Sequence, residues 1–290
     1  MAHDHHQHSE NNIKIAFFIN LAFTIIEFVG GIWVNSVAIM SDAVHDLGDS
    51  LSLGTSWYLQ RKSKQESDRN FTFGYARFSL LGALINSIVL IAGSVIVVYN
   101  AVSRLIHPEA TDAQGMMWFA ILGIAVNGFA AWRLTHGKSL NERVLSWHLI
   151  EDVLGWVAVL VVSIILQFRD ISYLDPVLSL LITLYILWGI SRRLKQTLII
   201  FLQGAPEGID LVALEEQIRA VPHVQSLHHT HIWSLEGEQH VFSTHLKLEG
   251  ISSFSEIIEV KRNVKSILGR YNLQQYTIET ELDNEECRMD

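Results

Sequence analysis

Six stretches of this chain are apolar over the length a helix needs to cross a bilayer: residues 13–34, 36–60, 78–103, 114–134, 144–168 and 176–202. A hydrocarbon core of roughly 30 Å takes about 20 residues of helix, because unpaired backbone amides inside it cost several kcal/mol each. Polar breaks at Val34-Asn35-Ser36, His107-Pro108-Glu109 and Asp175-Pro176 separate the stretches, and the second and fifth are the least apolar. The first ten residues are polar and His-rich, so 13–34 reads as a span rather than a cleaved leader. The pattern predicts an α-helical membrane protein with six transmembrane helices.

From Ala205 the period changes. Residues 211–220 read as a short helix, 225–235 and 240–249 as strands around Glu236-Gly237-Glu238, 253–269 as a helix with apolar residues at helical spacing, and 274–282 as a last strand. The alternation Val241, Ser243, His245, Lys247 fits a half-buried hairpin. The prediction is a small α+β domain of order αββαβ, ferredoxin-like. The chain divides into a His-rich tail (1–12), a membrane domain (13–204) and a C-terminal domain (205–290).

Lys and Arg are retained on the cytoplasmic side. Arg61, Lys62, Lys64, Arg69 and Arg77 follow the second stretch, Arg133, Lys138 and Arg143 the fourth, and Arg192, Arg193 and Lys195 end the sixth, whereas the opposite loops hold little beyond Arg104 and Arg169. Both termini and the C-terminal domain are therefore expected in the cytoplasm, and the compact loops suit a bacterial inner membrane. Apolar residues at 49% against charged ones at 18% agree with lipid as part of the solvent. A net charge of -9 without a basic run argues against a nucleic-acid partner. The single cysteine, Cys287, excludes an intrachain disulfide.

The second span carries Ser41-Asp42-Ala43-Val44-His45-Asp46-Leu47-Gly48-Asp49 and the fifth His148-Leu149-Ile150-Glu151-Asp152. Each places a His and an Asp four apart, on one helix face, so two such faces give an N₂O₂ set from His45, Asp49, His148 and Asp152. That set suits tetrahedral zinc and also accepts cobalt, cadmium or ferrous iron, whereas magnesium and calcium want more oxygens. An ionisable group at membrane depth costs about 2.5–3.5 kcal/mol on insertion scales, which points to a pathway rather than to interhelical bonds alone. Protons and metal compete for the same lone pairs, and the expected activity is metal–proton antiport. An intramembrane metalloenzyme would want an open coordination position and a general base, and no His-Glu-x-x-His motif is present; a metal sensor would leave the duplicated pair unexplained. The chain is read as a transporter and not an enzyme.

These two motifs in the second and fifth of six spans, ahead of an αββαβ domain, resemble the cation diffusion facilitator family. Asn35-Ser36-Val37-Ala38-Ile39-Met40-Ser41-Asp42-Ala43, Phe71-Thr72-Phe73-Gly74-Tyr75 and His231-Ile232-Trp233-Ser234 are further matches. The resemblance implies a homodimer exchanging cytoplasmic zinc for protons at His45, Asp49, His148 and Asp152, with two His and two Asp as the variant leaning toward zinc. It also implies that the C-terminal domain binds a regulatory metal and dimerises. Asp46, Glu151 and Trp156 depart from the family pattern. Asp46 and Glu151 are expected beside the ligands as their partners, as proton relays or as added ligands, or else as helix-helix hydrogen-bonding groups, and Glu27 is a similar carboxylate in the first span. In the loop after the second span Asp68 remains, but Phe71 and Tyr75 stand where some relatives have His, so no metal is expected there.

In the C-terminal domain, alternation puts His229 and His231 on one strand face and His228 on the other. By the resemblance, His228, His245 and Glu281 are the expected zinc ligands, with His231, Asp283 or Cys287 as additional ones. The N-terminal His3, His5, His6 and His8 offer a metal-collecting tail or simply a solvated one.

Overall fold

The computed structural model describes residues 18, 20–63, 65–135, 140–169, 171–282, 285 and 287. They fall into two compact units: everything up to Tyr58 with Ile85–Arg193, and Leu59–Leu84 with Leu194 onward.

The first unit is built on helices α1 (Asn20–Trp33), α2 (Val37–Ser63), α3 (Phe78–Ile106), α4 (Ala113–Thr135), α5 (Leu140–Phe168) and α6 (Leu174–Phe201), of which the end of α2, the start of α3 and the end of α6 count with the second. Four of them, α3 to α6, are long and apolar enough to span a bilayer. The 27-residue α2 has the length but carries the polar motif, and the described α1 covers only part of the expected span 13–34. Large apolar side chains such as Val29, Trp33, Ile96, Phe129, Leu154 and Trp188 are exposed, on a scale that water would not tolerate and lipid does.

Close helix approach depends on small residues, as expected where lipid tails are as apolar as the helices themselves. A Cβ at Gly123 of α4 would fall within the indole of Trp156 on α5, one at Gly48 of α2 would meet Leu90, and one at Gly93 of α3 would lie 2.6 Å from Val44 Cγ1. Trp156, fully buried, packs with Phe23, Ile39, Met116 and Val159 and fixes α5 against α1, α2 and α4.

The position of α2 is set by hydrogen bonds from α6. The buried Asp175 carboxylate accepts from Ser36 Oγ (2.6 Å), Val37 N (2.7 Å) and Ala38 N (3.3 Å), occupying backbone donors that the start of a helix leaves unpaired. Further along, Ser179 Oγ donates to Val37 O and Ser41 Oγ pairs with Thr183 Oγ1. Asn35, with φ 56°, turns the chain between α1 and α2 and is held by the Arg104 guanidinium.

The second unit contains α7 (Leu211–Arg219), β1 (Val224–Ser234), β2 (His240–Leu248), α8 (Phe254–Leu268) and β3 (Leu273–Glu281), the expected αββαβ order. The sheet runs β1-β2-β3, with β1 and β2 antiparallel and β2 and β3 parallel across the α8 crossover. Asp210 caps α7 through Ala213 N, and Glu256 accepts from Ser252 N and Ser253 N at the start of α8. Val260, Val264 and Leu268 recur every four residues on α8 and close the core over Phe242, Leu246 and Leu248. The hairpin turns at Gly237, whose φ of 116° favours glycine.

Candidate metal centres

Within the first unit, α2 and α5 bring their His–Asp pairs together. His148 Nε2 lies 2.5 Å from Asp49 Oδ2; His45 Nε2 lies 3.7 Å from the same oxygen and 3.8 Å from Asp152 Oδ1. The two imidazoles meet edge to face with centroids 5.5 Å apart. Ligand atoms of His45, Asp49 and His148 fall within 4.8 Å of one another, and Asp152 reaches the group through His45. Tetrahedral zinc at about 2.0–2.2 Å from N and O donors sets those donors about 3.4 Å apart, so the set needs only small rotamer changes to close on an ion. The short His148–Asp49 contact is a hydrogen bond that an incoming cation has to break, which makes proton and metal alternatives at one pair of atoms.

The carboxylates expected beside the ligands part company. Asp46 is buried with Asp42 and Glu27, whereas Glu151 is exposed and acts on His148 and Asp152 only through its field.

In the second unit, a His-rich cluster forms around Glu281. Its Oε1 lies 2.9 Å from His245 Nδ1 and 3.1 Å from His228 Nε2, and Cys287 Sγ is 3.8 Å from His245 Nδ1. Ligand atoms of His228, His245, Glu281 and Cys287 share a 4.8 Å sphere, a two-nitrogen, one-oxygen, one-sulfur set that fits tetrahedral zinc. Burial pushes the Glu281 carboxyl up, but hydrogen bonds from His245 and His228 outweigh it and hold the group below the usual glutamate value. His245 Nε2 also faces Glu279 Oε2 at 3.6 Å.

Of the additional ligands the resemblance implies, Cys287 lies in this cluster, whereas His231 is exposed, pairs in register with Ser243 and stands outside it. One expectation for β1 is corrected. His229 does not share a face with His231. The register shifts between His228 and His231, and His229 adopts φ 47°, so its ring swings back to within 5.3 Å of both His228 and His245. A β-bulge breaks the period of two on which the face assignment rested. Asp283 lies outside the described residues, as do His3, His5, His6 and His8.

The Asp68 carboxylate, in the loop after α2, is engaged by the backbone of Phe71 (2.7 Å) and Asn70 (2.8 Å) and by Tyr75 Oη (2.8 Å). The Phe71 amide and the Tyr75 hydroxyl hold its pKa below the ordinary value. Here the acid organises a turn.

Residues 13–202 match a family model described as the cation efflux transmembrane domain, and residues 206–281 one described as the cation efflux protein cytoplasmic domain. The chain is 31% identical to the "Cadmium, cobalt and zinc/H(+)-K(+) antiporter" of Bacillus velezensis, over 97% of this chain and 92% of that protein. It is 29% identical to "Zinc transporter ZitB" of Escherichia coli, over 97% and 93%. A solved structure, "Metal-bound C-terminal domain of the CzcD transporter" from Cupriavidus metallidurans, is 32% identical over 26% of this chain and all of that one, with a TM-score of 0.23.

Proposed function

Since this chain belongs to the cation diffusion facilitator, or cation efflux, family, we propose that it exports a divalent transition metal, zinc, from the cytoplasm in exchange for protons. The observation that carries this reading is the convergence of His45, Asp49 and His148 within 4.8 Å, with Asp152 beside His45, between two membrane helices. Relatives bearing the names zinc transporter and cadmium, cobalt and zinc antiporter support the choice of cargo.

The residues divide the work. Asp49 and Asp152 supply the anionic oxygens that favour a cation over a buried neutral site, and His45 and His148 supply borderline nitrogens that favour zinc over harder ions. Cation binding displaces the proton shared by His148 and Asp49, and reprotonation of that pair expels the cation, which couples the two fluxes without a separate relay.

The surrounding assignments belong to the same proposal. Residues 1–12 form a cytoplasmic tail, 13–204 a six-span membrane domain, and 205–290 a cytoplasmic domain that pairs two copies into a homodimer in a bacterial inner membrane. In that domain His228, His245, Glu281 and Cys287 hold a regulatory zinc whose chemistry is to tie β1, β2 and the chain beyond β3 together.

Zinc uptake into sealed proteoliposomes, with and without a pH gradient, tests the reading on the intact chain, Asp49→Ala and Asp152→Ala. Gradient-driven uptake lost in both variants is the expected result. Uptake that survives both substitutions overturns the site, and an intact chain that binds zinc without moving it makes the protein a sensor.

A further inference from the structure

One face of α2 beside the metal ligands is more acidic than transport through the four-residue set requires. Asp42 and Asp46 are four apart, so both project from the same side of the helix, about 60° round from His45 and Asp49. Glu27 of α1 meets them. It is fully buried, and Asp42 and Asp46 are 7% and 2% exposed. Both Glu27 oxygens, Asp42 Oδ2 and Asp46 Oδ2 are sealed from solvent and accept no hydrogen bond from any described donor.

The charges acting on Glu27 and Asp46 are all acidic: Asp42, Asp49, Asp152 and each other. The Glu27 and Asp46 carboxyl groups come within hydrogen-bond reach and can share one proton, whereas Asp42 Oδ2 has no such partner. The arrangement is not loose. Asn20 Nδ2 donates to Asp46 O (3.3 Å) and Ser50 Oγ (3.1 Å), which ties α1 along α2 and keeps Glu27 aimed at the aspartates. Burying unpaired carboxylates costs several kcal/mol each, and a cation that displaces the shared proton answers all three at once.

We propose that Glu27, Asp42 and Asp46 form a second cation site, distinct from the His–Asp set, that takes a divalent ion through carboxylate oxygens. An oxygen-only set suits harder ions better than the imidazole-bearing site does, so the margin of zinc over manganese is smaller here than at His45 and His148, and manganese binds when zinc is absent. Asp42 lies about 4.5 Å along α2 from His45 toward the helix N-terminus, so the site is a neighbouring station for a cation on the same helix. The site rests on the transport reading only for the source of its ion, and its test reads binding rather than transport.

The experiment uses the full chain in nanodiscs with Asp49→Asn, His148→Gln and His245→Ala, which disables the two centres already described. Free manganese(II) is counted by its electron paramagnetic resonance signal during titration; a hard ion also avoids the N-terminal histidines. One manganese per chain is expected in this background, lost on adding Glu27→Gln or, independently, Asp42→Asn. Both changes are isosteric, and a thermal melt identifies any variant that fails to fold. No bound manganese in a folded background chain overturns the site, as does binding that survives both neutral substitutions. Failure of zinc transport with manganese still bound would sink the transport reading alone.

Discussion

Replacing His245 by alanine should strip the C-terminal domain of its metal, and replacing His231 should not. His245 has Glu281 at 2.9 Å and Cys287 sulfur at 3.8 Å on its Nδ1 side. His231, beyond the bulge, is exposed and outside the cluster. Structural zinc sites bind with about 10–16 kcal/mol, so one ligand of four is worth roughly 3–4 kcal/mol. At 1.36 kcal/mol per decade this is a loss of about 10²–10³-fold for His245→Ala, against a change of less than about twofold for His231→Ala. Competition with a chromophoric chelator measures it, on the full chain with Asp49→Asn so that the membrane ligands do not compete. Equal weakening by the two substitutions would refute the cluster as described, and return His231 to the ligand set.

Three further outcomes follow from packing and capping. Asp175→Ala removes three charge-assisted hydrogen bonds from the start of α2; with part of the loss offset by the carboxylate's own desolvation, it should cost on the order of 3 kcal/mol and lower the melting temperature in detergent by about 6–12 °C. A melt unchanged within a degree or two would mean that α2 is held by other contacts. Gly123→Leu, forced into the Trp156 indole, should destabilise by about 1–3 kcal/mol, whereas Gly155→Ala, with nothing within 4 Å of the added methyl, should be neutral or stabilising by up to about 1 kcal/mol; the same melt compares them. Glu256 has its pKa held below 4.5 by the Ser252 amide, so its contribution is present above that pH and fades as pH falls through the lower folded value. Protection factors at the first turn of α8, taken relative to the intrinsic exchange rate at each pH, should therefore fall on acidification, and Glu256→Gln should flatten that dependence; an unchanged pH profile of protection would remove the cap from the explanation.

Much of the His–Asp cluster of α2 and α5 was legible because helices are periodic. A His and an Asp four apart must share a face whatever the rest of the molecule does, and the cost of burying them in lipid required a partner, which the second such pair supplied. The apolar lengths gave the four long spans α3 to α6, and the change of period at Ala205 gave the α+β unit with element ends within a residue or two. Extra carboxylates at Glu27 and Asp46 were visible as anomalies, but their meeting with Asp42 was not, since nothing in one helix's spacing says which neighbour it faces.

What the sequence by itself determined is each side chain's direction about its own axis, as long as the element stays regular. Tertiary structure decided the rest, for two physical reasons. The first is local irregularity: the bulge at His229, with φ 47°, carries its ring to the side of His228 and leaves His231 outside, reversing an assignment that a period of two made straightforward. The second is contact between distant segments. Asp175 caps a helix that begins 138 residues earlier, and Cys287 joins His245 across 42, because the folded chain brings together donors and acceptors whose spacing no periodicity encodes.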